Sequence, residues 1–460
     1  MKKALFLLPL LWGCTLYPDW QRPEAPVATQ WLPLPTETTS PTAHIMAWES
    51  FFHSPPLRKV IRAALANNRD LRQAALTIEA AQALYRVESA DLLPSVSAGM
   101  TASRTGLTRA QNSDGNRSIN ASYSANVATT AFELDLFGRL RQQNKAALQR
   151  YFATRAARDT AQISLIASVA NTYLQWLADR KILTLAEETL TTQTQTYALV
   201  RQSHEKGVGS KLDVAQVQIA VETARANQAL YQRRVMQGGH ALQLLMGSPE
   251  PLPTTPPTLE AVALTTVLPP GLPAEILLQR PDVVQAEHAL QAAHADIGAA
   301  RAAFFPQISL TAGVGLASAE LGNLFSNAAG GAWNFIPKIS LPIFDHGLNQ
   351  ANLDYAKIRE NSLIAAYEQT IQTAFREVAD ALAARQTLEL ELMAQRDLVA
   401  ASQKAYDLSF ARYKGGIDSF LDVLDAQRSL FAAQQHYIEV EKQRLANQVN
   451  LYKALGGGLQ

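Results

Sequence analysis

A membrane-spanning helix takes about 20 consecutive apolar residues, and no stretch of this 460-residue chain offers that. Any passage through a bilayer must therefore use β-strands. Cysteine occurs once, at position 14, so no internal disulfide is available. The net charge of +1 removes the bulk electrostatic case for a nucleic-acid partner. Basic residues are scattered, and no arginine–aromatic cluster offers a base-stacking surface. Catalytic signals are missing too. "GVGSKL" from Gly207 to Leu212 lacks the Gly-Lys-Ser/Thr order and preceding strand of a phosphate loop, and "GVG" at Gly313 lacks the third glycine of a dinucleotide motif. The eight histidines show no zinc spacing; His288 and His294 find no third ligand. The six methionines are unclustered, so no soft-metal site is legible. No enzyme is read from these residues.

What is present begins with "MKKALFLLPLLWGC". Lys2 and Lys3 precede a short apolar run that fits the hydrophobic region of a signal peptide, residues 1–13. The run ends at Cys14, and Leu11-Trp12-Gly13-Cys14 resembles a bacterial lipobox, which implies a lipid-modified mature N-terminus. An ordinary signal peptide with an incidental cysteine is the other reading of the same residues. Residues 14–56 are rich in Pro and Thr and read as an extended segment lying on a surface.

The rest of the chain is helical, with two interruptions. Residues 57–94 carry helical patterning, softened at "NNRD" and stopped at Pro94. Residues 95–137 hold two strand-like stretches around a polar loop. Residues 138–246 read as a long helical hairpin with no proline between 139 and 203; at ~1.5 Å per residue its first arm is on the order of 100 Å long. A Pro-rich connector covers 247–281. The pattern then recurs: a helix at 282–305, two strands at 306–346, a second long hairpin at 347–455 and a tail at 456–460. "ADLLPSVSAGM" is echoed by "AAFFPQISLTAGVG", and "HEKGVGSKLDVAQ" by "RYKGGIDSFLDVLDAQ". A spacing of roughly 210 residues is far above that of solenoid units, so this is an internal duplication.

The duplication gives four strands, and the smallest single-chain membrane barrels have eight. Small polar residues occupy one strand parity and Val, Ile, Leu and Phe the other, which suits a sheet with water on one side and lipid on the other. Trimerisation supplies twelve strands and closes the edges. The long helices carry a narrow apolar seam rich in Ala, as in coiled coils. Past the glycine pair Gly415–Gly416, Asp422 and Asp425 fall three apart on one helix face with no catalytic partner nearby. Their plainest role is to complement the helix N-terminus, worth about 0.3–1 kcal/mol.

Across nearly the whole chain the sequence resembles the outer membrane factor family of TolC-like channels, and most nearly its lipidated branch. The phrases that carry this are "LYPDWQRPEAPV", "ALANNRDLRQAAL", "AFELDLFGRLR", "LLQRPDVVQAEHAL", "ANLDYAKI", "EVADALAARQ" and "RYKGGIDSFLDVLDAQRSLF". The resemblance implies an α+β membrane protein: a trimeric 12-stranded outer-membrane β-barrel, four strands per chain, continued by a long periplasmic α-helical barrel with a mixed equatorial domain. It implies an exit duct that conducts drugs or other toxic small molecules from periplasm to exterior. The implied partners are a homotrimer, a periplasmic adaptor (membrane fusion) protein, an inner-membrane resistance–nodulation–division pump and outer-membrane lipids. Thr15 after Cys14 in place of an aspartate implies an outer-membrane destination, and no cofactor is expected beyond the covalent lipid on Cys14. A non-conducting structural or adhesion scaffold, and a duct for metal ions or secreted protein, remain the alternatives.

The same resemblance assigns site residues. Asp422 and Asp425 match the paired acids that ring the constriction at the periplasmic helical tip. Tyr413 matches a tyrosine that hydrogen-bonds an aspartate on the neighbouring turn, here Asp213, and locks the mouth closed. A companion arginine of that lock is replaced by Asp418.

Overall fold

The computed structural model describes residues 20–28, 31, 46–110, 118–253, 256–265, 274–326 and 330–459. Cys14 and the signal segment lie outside them. The order of elements is α1 (Trp48–Phe51), α2 (Pro55–Asn67), α3 (Arg69–Ala90), β1 (Ser97–Leu107), β2 (Ser118–Leu134), α4 (Arg139–Glu205), α5 (Lys211–Met246), α6 (Pro281–Ala302), β3 (Gln307–Ser318), β4 (Gly330–Ser340), α7 (Leu348–Lys414) and α8 (Phe420–Ala454). The duplication is exact in length where it matters most: α4 and α7 are each 67 residues long. Each follows a left-handed glycine, Gly138 and Gly347, and an aspartate that accepts backbone N–H groups of the first turn. Asp135 takes Arg141 N at 2.9 Å, and Asp345 takes Asn349 N at 3.0 Å.

The chain divides into two compact units. The first comprises residues 1–24, 77–155 and 285–367 and contains the sheet. Its strands run antiparallel in the order β1-β2-β3-β4, so among the described residues the outer edges of β1 and β4 are unpaired. The register separates two faces. Val127, Val314 and Trp333 share one row; Thr129, Ala312 and Phe335 the next; Ala125 and Leu316 lie on the same side. The opposite side carries Ala128, Gly313 and Asn334, then Asn126, Gly315 and Ala332, with Ser97, Gly99, Thr101 and Ser103 continuing it on β1. Leu107 and Ile336 are the large apolar exceptions there. The apolar side is open, with Trp333 78% exposed. A broad exposed apolar face opposite a small-residue polar face matches lipid outside and water inside.

A β-bulge between Thr129 and Phe132 keeps this sorting intact. It inserts one extra residue in β2, with Ala131 at φ 50° and its N–H bonded to Thr311 Oγ1 at 3.0 Å. Without it the parity would invert, sending Phe132 and Leu134 to the polar side.

The second unit comprises residues 25–76, 156–284 and 368–460. Its main core joins α1 and α2 to the middle of α4, the end of α5 and the C-terminal half of α8. Phe51 stacks on Tyr452 with ring centroids 4.1 Å apart, and the Tyr452 hydroxyl donates to Met46 O at 2.7 Å. The soft spot at "NNRD" is a real break between α2 and α3. Buried Asn68 accepts from Leu71 N and donates to Leu245 O, both at 3.0 Å. Gly247, which ends α5 at φ +62°, allows the close pass of Asn67, whose carbonyl would stand 2.4 Å from any Cβ added there. The connector also pairs with the N-terminal segment, through a Phe52–Leu264 bridge and Thr265 N bonded to Phe51 O at 3.0 Å. Arg280, in the "QRPD" phrase, ties α6, α7 and α8 together and is nearly buried.

Candidate functional site

The two long helices end in the same way, and that shared ending builds the candidate site within the second unit. At the end of α4, Gly207 (φ +79°) donates to His204 O at 2.9 Å and Val208 N to Ser203 O at 3.0 Å. At the end of α7, Gly416 (φ +70°) donates to Tyr413 O at 2.9 Å and Ile417 N to Arg412 O at 3.0 Å. This crossed pair of bonds is the Schellman motif, and the left-handed residue at its centre is the position glycine fills without strain. Three residues later each chain segment restarts as a helix from a serine, Ser210 or Ser419. The third residue of each new helix is an aspartate, so Asp213 and Asp422 are equivalent under the duplication.

Four helices meet here. Val200, Val217, Phe420, Val423 and Leu424 are buried together, with Tyr197, Val214, Tyr406, Phe410 and Tyr413 packed around them. Tyr413 lies edge-on to Phe420 with centroids 5.0 Å apart. Val423 and Leu424 point into this cluster, and Asp422 and Asp425, on either side of them in sequence, stay exposed. Asp422 accepts the Ser419 hydroxyl at 2.8 Å. Asp425 makes no ion pair or hydrogen bond among the described residues, so its carboxylate is free to face another chain or an ion.

The expected Tyr413–Asp213 hydrogen bond is not formed within the chain. Asp213 is the third residue of a capping box, with its Oδ2 accepting Ser210 N at 3.2 Å while Ser210 Oγ takes Leu212 N at 3.0 Å. Helix capping has first claim on that carboxylate. The two side chains are still within electrostatic reach: burial pushes the Tyr413 phenol up, and the Asp213 charge adds to it.

Asp418, at the position where the resemblance led us to expect an arginine, is one half of an ion pair inside its own turn. Arg412 donates Nε to Asp418 Oδ2 at 2.5 Å and Nη2 to Oδ1 at 2.8 Å. That fork holds the Asp418 carboxyl below the usual carboxylate range. Sequence reading missed this pair. The signal was an arginine and an aspartate six apart across a Schellman turn, which folds the chain back on itself.

Exposed apolar residues crown both turns: Val208 and Leu212 on one, Ile417 and Leu421 on the other. Among the described residues no cluster of His, Cys, Asp and Glu could hold a metal ion, and no helix is long and apolar enough to cross a membrane.

An open four-stranded sheet with one lipid-compatible face, in a chain with two helical hairpins whose long arms are equal in length, defines a subunit of a trimeric β-barrel channel. The chain belongs to the outer membrane efflux protein family, whose model matches residues 60–248 and 272–457. It is 50% identical over its full length, and over 96% of the relative, to the antibiotic efflux pump outer membrane protein ArpC of Pseudomonas putida. It is equally similar to the toluene efflux pump outer membrane protein TtgC of the same species, at 50% identity with 100% and 96% coverage. Among solved structures it resembles the open state of the MtrE outer membrane channel of Neisseria gonorrhoeae, with a TM-score of 0.87 and 40% identity over 97% of this chain and 99% of that one. The protein is an outer-membrane efflux component: it supplies four strands to a twelve-stranded barrel and extends a helical barrel into the periplasm.

Proposed function

We propose that the paired glycine turns are the periplasmic gate of this channel and that Asp422 and Asp425 line its mouth. The observation that carries this is the exposed position of the two acids beside a shared four-helix apolar cluster. Three chains bring six carboxylates around one opening, a ring that favours cations and disfavours anions. Tyr413, Asp213 and the Arg412–Asp418 pair are the contacts that set how firmly the turns stay together. In this reading Tyr413 acts through packing on Phe420 and through contact with a neighbouring chain, since Asp213 is engaged in its own helix cap. The exposed apolar residues at the turns, Val208 and Ile417 above all, are the docking surface for a periplasmic adaptor protein, which couples the duct to an inner-membrane resistance–nodulation–division pump. The cargo is of the kind named for the relatives: apolar solvents and antibiotics. Cys14 carries the lipid anchor.

Single-channel recording in planar bilayers tests the gate. Asp422→Ala with Asp425→Ala is expected to weaken cation preference and abolish block by multivalent cations, with little effect on opening. Tyr413→Phe with Asp213→Ala is expected to raise conductance. Parental conductance in the second variant, together with parental selectivity in the first, would reduce the acids to helix caps.

A further inference from the structure

The four strands carry only three charged residues, Arg104, Glu133 and Lys338. The register decides where each one faces. Arg104 pairs with Ala121 and belongs to the apolar parity of β1 and β2, near the strand ends, where a long side chain can reach the interface. Glu133, Ser309 and Lys338 form one row, and that row lies on the small-residue polar side. The bulge in β2 is what puts Glu133 there. Glu133 is neutralised by a fork from Arg139, Nε to Oε1 at 2.9 Å and Nη2 to Oε2 at 2.5 Å. Lys338 is exposed and makes no ion pair among the described residues. A charge is disfavoured on the lipid side of a barrel, and the register places Lys338 on the polar side.

We propose that Lys338, repeated by the three chains, forms a cationic collar inside the barrel lumen that favours passage of anionic solutes. The collar is carried by the sheet and does not depend on the gate reading. Twelve strands about 4.8 Å apart, tilted by roughly 40°, enclose a backbone radius of about 12 Å. A lysine ammonium reaching inward therefore lies within about one Debye length, ~10 Å at 0.1 M salt, of any ion in the lumen. Three such charges acting on oppositely charged ions shift the cation-to-anion permeability ratio by about two- to four-fold. The channel then carries two collars of opposite sign, with the basic one on the row next to the strand end that leads into α4.

Two measurements on the reconstituted trimer test this. The first is labelling by a membrane-impermeant sulfonate-bearing methanethiosulfonate. Lys338→Cys is expected to react from the aqueous side and Trp333→Cys, on the opposite face, to remain unlabelled, with the parent chain as the control for Cys14. The second is the reversal potential in a potassium chloride gradient, recorded with Asp422→Ala and Asp425→Ala already present so that the helical end adds no selectivity. In that background Lys338→Glu and Lys338→Gln are expected to raise the potassium-to-chloride permeability ratio, by about two- to four-fold for the charge removal alone, and Lys338→Arg to leave it unchanged. The proposal is overturned if Lys338→Cys is inert, if Trp333→Cys labels in its place, or if Lys338→Gln and Lys338→Arg give the same reversal potential.

Discussion

Replacing Arg280 with methionine isolates the contribution of one nearly buried cation to the second unit. The Arg280 side chain is 7% exposed. It donates Nη1 to Ala454 O at 2.6 Å, Nε and Nη2 to Asp282 at 3.0 and 2.7 Å, and Nη2 to Glu377 at 2.9 Å. One guanidinium thus pins the start of α6, the middle of α7 and the end of α8. Methionine keeps the length and the packing and removes every donor. Breaking a buried pair by deleting one partner costs about 3–5 kcal/mol. Asp282 and Glu377 are 29% and 37% exposed and rehydrate in part, which places the loss at the lower end, about 3 kcal/mol. Unfolding entropy of about 2.1 cal/mol/K per residue amounts to about 1 kcal/mol/K for a chain of this length, so Tm falls by about 3 °C. The assay is thermal unfolding of the detergent-solubilised trimer followed by far-ultraviolet circular dichroism. Adding Glu377→Gln to Arg280→Met should cost less than the sum of the two single changes, because the stranded carboxylate is gone. Arg280→Lys should fall between parent and Arg280→Met, since it keeps the charge and loses the fork. A melting point for Arg280→Met within about one degree of the parent, or strict additivity with Glu377→Gln, would refute the assignment of Arg280 as the tie between these helices.

Three further outcomes follow from particular contacts. Burial pushes the Asp179 carboxyl above the usual range, against the opposing pull of Gln175, Arg234 and Lys442. Between the ordinary carboxylate pKa and the raised one, the folded chain holds a proton that the unfolded chain has lost, so this group's contribution to stability falls as pH rises through that window. Asp179→Asn should accordingly raise Tm at neutral pH and lose that advantage in acid; a lower Tm at neutral pH would show that Arg234 and Lys442 more than offset the burial. Gly247→Ala forces both a left-handed φ and a clash with Asn67 O, and should cost about 1–3 kcal/mol, read as a lower melting point with unchanged helix content; parental stability would contradict the close approach. Asp418 is held below the usual range by Arg412, so the stability it adds is present above the unfolded-state carboxylate pKa and is lost as pH falls through the lowered one. Asp418→Asn should therefore loosen the turn at neutral pH, seen as more frequent channel opening, with the difference from the parent shrinking in acid.

Much of this protein was set by local chemistry and is readable from the residues alone. Proline-free runs under an apolar seam dictate α4 and α7, because nothing in them interrupts the backbone ladder. The recurrence of one phrase order dictates the duplication. Glycine followed three residues later by Ser-x-x-Asp marks both turns, since a left-handed residue and a serine at the helix start are local signals; the first turn closes a full capping box, and in the second Ser419 bonds the Asp422 carboxylate. Asp422 and Asp425 share an exposed face because helix periodicity places them there. Tertiary structure decided what depends on residues meeting across the chain. It gave Asp213 to the cap of its own helix and left Tyr413 to pack on Phe420. It turned Asp418 from a missing lock residue into the partner of Arg412, by reversing the chain between them. Alternation along β2 breaks at Thr130 and Ala131, and only pairing with β3 shows that a bulge absorbs the break and returns Phe132 to the apolar side. The side on which Glu133 and Lys338 fall is therefore a property of register, which depends on a partner strand roughly 175 residues later in the chain and is inaccessible to any local reading.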